Sequence, residues 1–171
     1  MSGGELVDIV DNRDLVTTVG TIGECLEKGL LHRAVAVLVI RSSGMFLLQR
    51  RSKSDRWHPG LWTISSTGHV KEAESYEAAA QRELKEELGI ESKLEMVGKF
   101  LLPPIRSRSL TEWEWVSFYV AHTDAICAID PIELDAVSEF TLEELRSIID
   151  GSEITPDAVI LLKDYLKLGR N

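Results

Sequence analysis

Residues 68–90 read GHVKEAESYEAAAQRELKEELGI, and the second half of this stretch places three carboxylates, Glu83, Glu86 and Glu87, at i, i+3 and i+4. At about 100° per residue they fall within roughly 100° of one another on a single helical face. Leu84 and Leu88, four apart, lie to one side and can face a core. Like charges at this spacing oppose the helix, each close pair costing about a few tenths of a kcal/mol. A divalent cation removes that cost, because hard ions such as Mg²⁺ take carboxylate oxygens and share them with substrate phosphates. An acidic helix face on its own is usually a solvated surface. The residues around this one argue otherwise.

Outward from the stretch, the chain has 171 residues, enough for one domain over residues 1–171 with a substantial core. Its formal net charge is −9, from 28 acidic and 19 basic residues. Duplex nucleic acid is bound by positive charge that displaces counterions, so this balance disfavours it as a partner. Cys25 and Cys127 are far apart and outside any CxxC spacing, and read as free thiols in a reducing cytoplasm. The opening MSGGELVDIVD lacks a basic region followed by an apolar core. The longest apolar run, Ala34 to Ile40, is too short to cross a bilayer. The expectation is a cytoplasmic protein with no membrane partner.

In chain order, Glu5 to Val10 and Leu15 to Val19 read as a short hairpin, which offers a surface for a homodimer. Gly20 to Gly29 reads as a loop. The continuous apolar run within Leu30 to Ile40 predicts a strand buried on both faces, and Gly44 turns it into Met45 to Arg51. Ser52 to Gly60 is a charged, aromatic loop, and Leu61 to Ser65 a brief strand. A helix is predicted from Ser75 to Leu88, stopped by Gly89. Ile90 to Leu101 reads as a strand, Pro103 onward as an irregular basic loop, Glu112 to Ala121 as a strand, and Val137 to Phe140 as the last strand. Thr141 and Glu144 form a capping box, and Thr155-Pro156 starts a second terminal helix ending before Gly169.

The central stretch resembles the Nudix box, G-x5-E-x7-R-E-U-x-E-E-x-G-U with U aliphatic. Gly68, Glu74, Arg82, Glu83, Leu84, Glu86, Glu87, Gly89 and Ile90 fill every specified position without insertion or deletion. The resemblance implies an α/β fold, a Nudix-type α/β/α sandwich with a mixed sheet. It also implies a diphosphohydrolase that uses Mg²⁺ or Mn²⁺ to cleave a nucleotide or other small organic diphosphate. Glu83, Glu86 and Glu87 are then the metal ligands and catalytic carboxylates, with the Gly68 carbonyl a further ligand, and Glu74 pairs with Arg82 to shape the loop–helix junction. The general base is Glu83 or Glu86 within the box, or Glu112, Glu114 or Glu139 outside it.

Further segments, Leu31-His32-Arg33-Ala34, Leu47 to Arg51, Pro59 to Trp62 and Gly68-His69, resemble the branch that contains isopentenyl-diphosphate isomerase. By that resemblance His32, His69, Glu112 and Glu114 match part of an isomerase metal set, His69, Glu112 and Glu114 border the substrate, and Arg51 binds its diphosphate. Arg50, Lys53 and Arg56 add positive charge nearby. Two departures matter. Thr67 stands where the isomerases carry a catalytic cysteine, and Cys25 takes the place of another expected histidine. A hydroxyl is far less acidic than a thiol, so the expectation is hydrolysis rather than isomerisation. Trp57, Trp62, Trp113 and Trp115 read as packing residues more than as stacking platforms for a base.

Overall fold

The computed structural model describes residues 4–55, 57–128 and 134–169, which leaves Arg56 outside the described residues. In chain order the elements are β1 (Leu6–Val10), β2 (Val16–Thr21), α1 (Ile22–Lys28), β3 (His32–Ile40), β4 (Phe46–Arg51), β5 (Trp62–Ile64), β6 (Ser66–His69), α2 (Tyr76–Leu88) and β7 (Leu94–Leu101). There follow β8 (Ile105–Ser107), β9 (Leu110–Glu112), β10 (Glu114–His122), β11 (Leu134–Phe140), α3 (Leu142–Ile149) and α4 (Pro156–Lys167). Among the described residues nine strands form one mixed sheet, and β8 pairs with β9 apart from it.

β3 is the axis. Its apolar run has no polar face to offer solvent, so it is covered on both sides. Ala34, Ala36, Leu38 and Ile40 pack with Leu145, Leu161 and Leu162 of α3 and α4. Val35, Val37 and Val39 pack with Ala79, Ala80, Leu84 and Leu88 of α2. The result is an α/β architecture with the sheet between α2 and the two terminal helices. Along one margin β3 runs parallel to β10, from Glu114 opposite His32 to His122 opposite Ile40. On its other margin it pairs antiparallel with β6, Ala34 opposite His69 and Val35 opposite Gly68, and further on with β4.

Three local expectations change. Residues 20–29, read as a loop, contain α1. Thr21 Oγ1 accepts from Glu24 N while the Glu24 carboxylate accepts from Thr21 N, both at 3.3 Å, and Gly29 closes the helix in the left-handed region at φ 63°. Three glycines in ten residues hide that short helix. The basic segment after Pro104 is a hairpin, with Ser107 opposite Leu110 and the left-handed φ of 55° at Arg108 making the turn. The strand expected from Glu112 breaks at Trp113, so Glu112 ends β9 and Glu114 starts β10.

Leu84 is fully buried between the acidic positions of α2. Leu84→Ala is expected to lower unfolding stability by about 2–5 kcal/mol, read as a shift in denaturant midpoint with an unchanged m value.

Candidate functional site

Helix α2 starts on Ser75, whose hydroxyl accepts from Ala78 N, and ends on Gly89 at φ 66°. Burial of Leu84 and Leu88 against the sheet sets its rotation and brings Glu83 and Glu87 to the β6 side. A Cβ added at Gly68 would lie 2.1 Å from Glu83 Cδ, so only glycine admits the carboxylate there. Arg82 clamps the junction. It donates to both Glu74 oxygens at 2.9 Å, to the His69 carbonyl at 3.0 Å, to Glu86 at 3.2 Å and to Glu83. Glu74 also accepts from Lys71 N at 3.0 Å, tying the loop to the helix.

The three acidic side chains have different surroundings. Glu83 is 14% exposed and Glu86 55% exposed, so Glu86 is the most open to solvent of the three, with Glu83 and Glu87 half-buried. Glu87 Oε2 accepts from Thr67 N at 3.1 Å and from Gln49 Nε2 at 3.2 Å. Burial pushes the Glu83 carboxyl up to about 7, against the opposing Arg82 contact. Burial, helped by the Glu83 charge, pushes Glu87 up to about 8. All three border one cavity of about 500 Å³, together with Arg51 and Gln49 from β4. Arg51 is held by Asp55 at 2.7 Å and by the Trp57 carbonyl at 2.8 Å.

Antiparallel partners share a face, so His69 opposite Ala34 lies on the α4 side of the sheet, away from α2. There His32, His69 and Glu114 offer ligand atoms all within 4.8 Å of one another. Glu114 Oε1 is 3.4 Å from His32 Nε2 and 3.5 Å from His69 Nε2, and Glu112 Oε1 is 3.7 Å from His69 Nε2. His32 Nδ1 is 2.9 Å from the Leu30 carbonyl and donates to it, which leaves the Nε2 lone pair exposed to the cluster. That Nε2 is buried with no hydrogen-bond partner among the described residues. Two imidazoles, that of His32 oriented from behind, together with the Glu114 carboxylate suit a divalent cation. Burial holds the His69 imidazole well below its ordinary value and therefore neutral. Burial beside Glu114 raises the Glu112 carboxyl.

The β6 strand thus lies between the two acidic sets, with Gly68 facing one and His69 the other. A second cavity of about 40 Å³, bordered by Glu112, Glu114 and Asp157, shares Arg51, Gly68 and His69 with the larger one. Several residues stay outside. Cys25 is buried beside Val7 and Ile22, and burial lifts its thiol to about 11. Glu139 pairs with Arg41 at 2.8 Å beside a separate depression. Arg50 donates to the Gly60 carbonyl at 3.1 Å. Trp62 packs edge-on against Phe140 at 5.2 Å and Trp115 donates to the Asp11 carbonyl at 3.2 Å, whereas Trp57, though buried, borders both cavities. Two contributors escaped the sequence reading. Gln49 reaches Glu87 from a strand that reads as core, and Ile22, Gly23 and Leu26 of α1 wall the larger cavity. The Thr21-x-x-Glu24 capping box was the available signal for α1.

The NUDIX domain family model matches residues 30–159. The chain is 34% identical over 154 residues to isopentenyl-diphosphate Delta-isomerase 2 of Photorhabdus laumondii, covering 86% of this chain and 84% of that one. It is 32% identical over 170 residues to an uncharacterised Nudix hydrolase of Pseudomonas aeruginosa, covering 96% and 95%. A crystal structure of a Deinococcus radiodurans protein superposes with a TM-score of 0.76 at 26% identity, over 94% of this chain and 98% of that one.

If the His69 ring is neutral as its burial requires, its imidazole resonances will show no titration midpoint at or above 6.5 in the folded protein. A midpoint at or above 6.5 would mean that water reaches the cluster.

Proposed function

The chain belongs to the NUDIX family, and on that premise we propose that it is a divalent-metal-dependent diphosphohydrolase acting on a nucleotide or other small organic diphosphate. The observation that carries this reading is the approach of Glu83 to Gly68, with Glu86 and Glu87 beside it on one cavity that also holds Arg51. In this reading Glu83, Glu86, Glu87 and the Gly68 carbonyl hold Mg²⁺ or Mn²⁺. The carboxyls lifted by burial to about 7 and 8 fit that role, since a bound cation compensates the charged form that burial disfavours. When bound, the ion would neutralise diphosphate charge and acidify a water.

The chain's own residues supply the rest. Arg51, already fixed by Asp55 and the Trp57 carbonyl, presents a guanidinium to diphosphate oxygens. His69, Glu112 and Glu114 border the substrate from the far side of β6. A water oxygen attacks one phosphorus, the bond from that phosphorus to the bridging oxygen breaks, and a carboxylate of the cavity takes the water proton. Glu74 and Arg82 do not meet substrate; they hold the junction that carries Gly68.

A second reading, isopentenyl-diphosphate isomerisation, draws on the relative of that name and on the His32–His69–Glu114 cluster. Thr67 opposes it, since a threonine hydroxyl cannot trade protons as a thiol does. Product analysis separates the two, because isomerisation releases no phosphate.

Glu86→Gln and Glu87→Gln are each expected to lower turnover by orders of magnitude while the circular dichroism melt still shows a folded chain. Near-normal rates in both variants would remove the carboxylates from the chemistry. A pH series gives an independent check. A carboxyl raised in the folded state binds more protons there than in the unfolded chain, so stability falls as pH rises. For Glu83 and Glu87 that window runs from the ordinary 4.5 up to about 8. Melting temperatures without metal should therefore decline between pH 6.5 and pH 8, where the neutral His69 no longer adds an opposing slope, and saturating Mg²⁺ should raise them more at pH 8 than at pH 5.

A further inference from the structure

Strand β4 directs alternate side chains to the two layers, with Phe46 and Leu48 on the α4 side and Leu47 on the α2 side. Gln49 and Arg51 continue the Leu47 row towards the larger cavity. An amide among such neighbours needs a reason, because a buried polar group without partners is unfavourable. Gln49 is 1% exposed, and only one end of its amide is satisfied. Nε2 donates to Glu87 Oε2 at 3.2 Å, whereas Oε1 is buried with no hydrogen-bond partner among the described residues. Fold stability alone would favour an apolar residue here, or an orientation that met both ends.

The acceptor is specific. Gln49 Nε2 and Thr67 N both donate to Oε2 of Glu87, and the Ser66 side chain interacts with the same carboxylate. Two donors from two different strands fix the carboxylate plane and occupy the same oxygen. Neither of these two donors uses the other oxygen, and Glu87 borders the larger cavity. A backbone donor alone would leave the carboxylate free to turn about its last bond.

We propose that Gln49 is a positioning residue for Glu87: its amide holds Oε2 so that Oε1 stays turned to the cavity as the cation-binding atom. This rests on the reading of Glu87 as a metal ligand. Hydrogen bonds to a ligating carboxylate set its orientation, and losing one commonly costs ten- to a hundredfold in metal affinity. In this proposal Gln49 acts through Glu87 rather than on the reacting phosphorus.

Mn²⁺ alone serves as the probe, titrated into the full chain by calorimetry or by the loss of its free spin-resonance signal. Gln49→Leu is expected to weaken Mn²⁺ binding by roughly ten- to a hundredfold. Gln49→Met, which keeps the length without the amide, should match it if the leucine variant folds poorly. Mn²⁺ affinity within twofold of the unmodified protein in either folded variant would overturn the proposal, whatever happens to the melting temperature. The unmodified protein supplies a test that needs no substitution, because it has two glutamines, Gln49 and Gln81, and Gln81 donates to the distant Ser92 carbonyl. Adding Mg²⁺ should shift the Gln49 side-chain amide signals and leave those of Gln81 in place; unmoved Gln49 signals would also overturn it. No Mn²⁺ binding by the unmodified chain would defeat the metal reading itself, whereas strong binding that ignores Gln49 would defeat only this inference.

Discussion

The approach of helix α2 to the backbone of Gly68 is the contact on which the rest of the molecule turns. Glu83 occupies the space where any other residue would carry a Cβ. Arg82 locks that approach from the outside, reaching Glu74 in the preceding loop and the His69 carbonyl at the end of β6. Because β6 is in turn registered on β3, a shift at this junction would move both acidic sets together. One short strand therefore aims Gly68 at the box carboxylates and His69 at the histidine–carboxylate cluster.

The charges at the site oppose folding as much as they serve chemistry. Glu83 and Glu87 are withdrawn from water on a helix whose other face is dry. Burial lifts both carboxyls towards neutrality, and Arg82, spread over three glutamates, offsets only part of the repulsion. The local sequence thus holds an arrangement that is strained in charge but firm in geometry. Leu84 and Leu88 set the rotation of the helix, and Thr67 and Gln49 set the carboxylate of Glu87. On the opposite face, burial keeps His69 neutral, and the Leu30 carbonyl points the His32 lone pair inward.

Much of this was readable before any coordinates. The spacing of the box residues located α2 and its two ends, because Ser75 and Gly89 carry local, sequence-bound signals. The apolar run in β3 announced a strand covered on both faces, and the Thr141 capping box marked α3. Less legible was α1, where three glycines masked a capping box of the same type as that at Thr141. The break at Trp113 was also hidden, since alternation along Glu112 to Ala121 says nothing about where one strand yields to another. Least legible was Gln49. A residue that acts through a carboxylate on another element leaves no periodic trace, and only the three-dimensional register brings β4 to Glu87. The separation of the histidine cluster from the box by the sheet likewise follows from pairing register, which sequence spacing does not encode.

The most direct test of hydrolysis at this site is turnover in heavy-oxygen water. A panel of nucleoside diphosphates and triphosphates, nucleotide sugars, dinucleoside polyphosphates and isopentenyl diphosphate would be incubated with and without Mg²⁺ or Mn²⁺. The account predicts metal-dependent cleavage of at least one compound, with the label appearing in a released phosphate or phosphomonoester. Isomerised isopentenyl diphosphate with no label in any phosphate, or no metal-dependent cleavage across the panel, would contradict it.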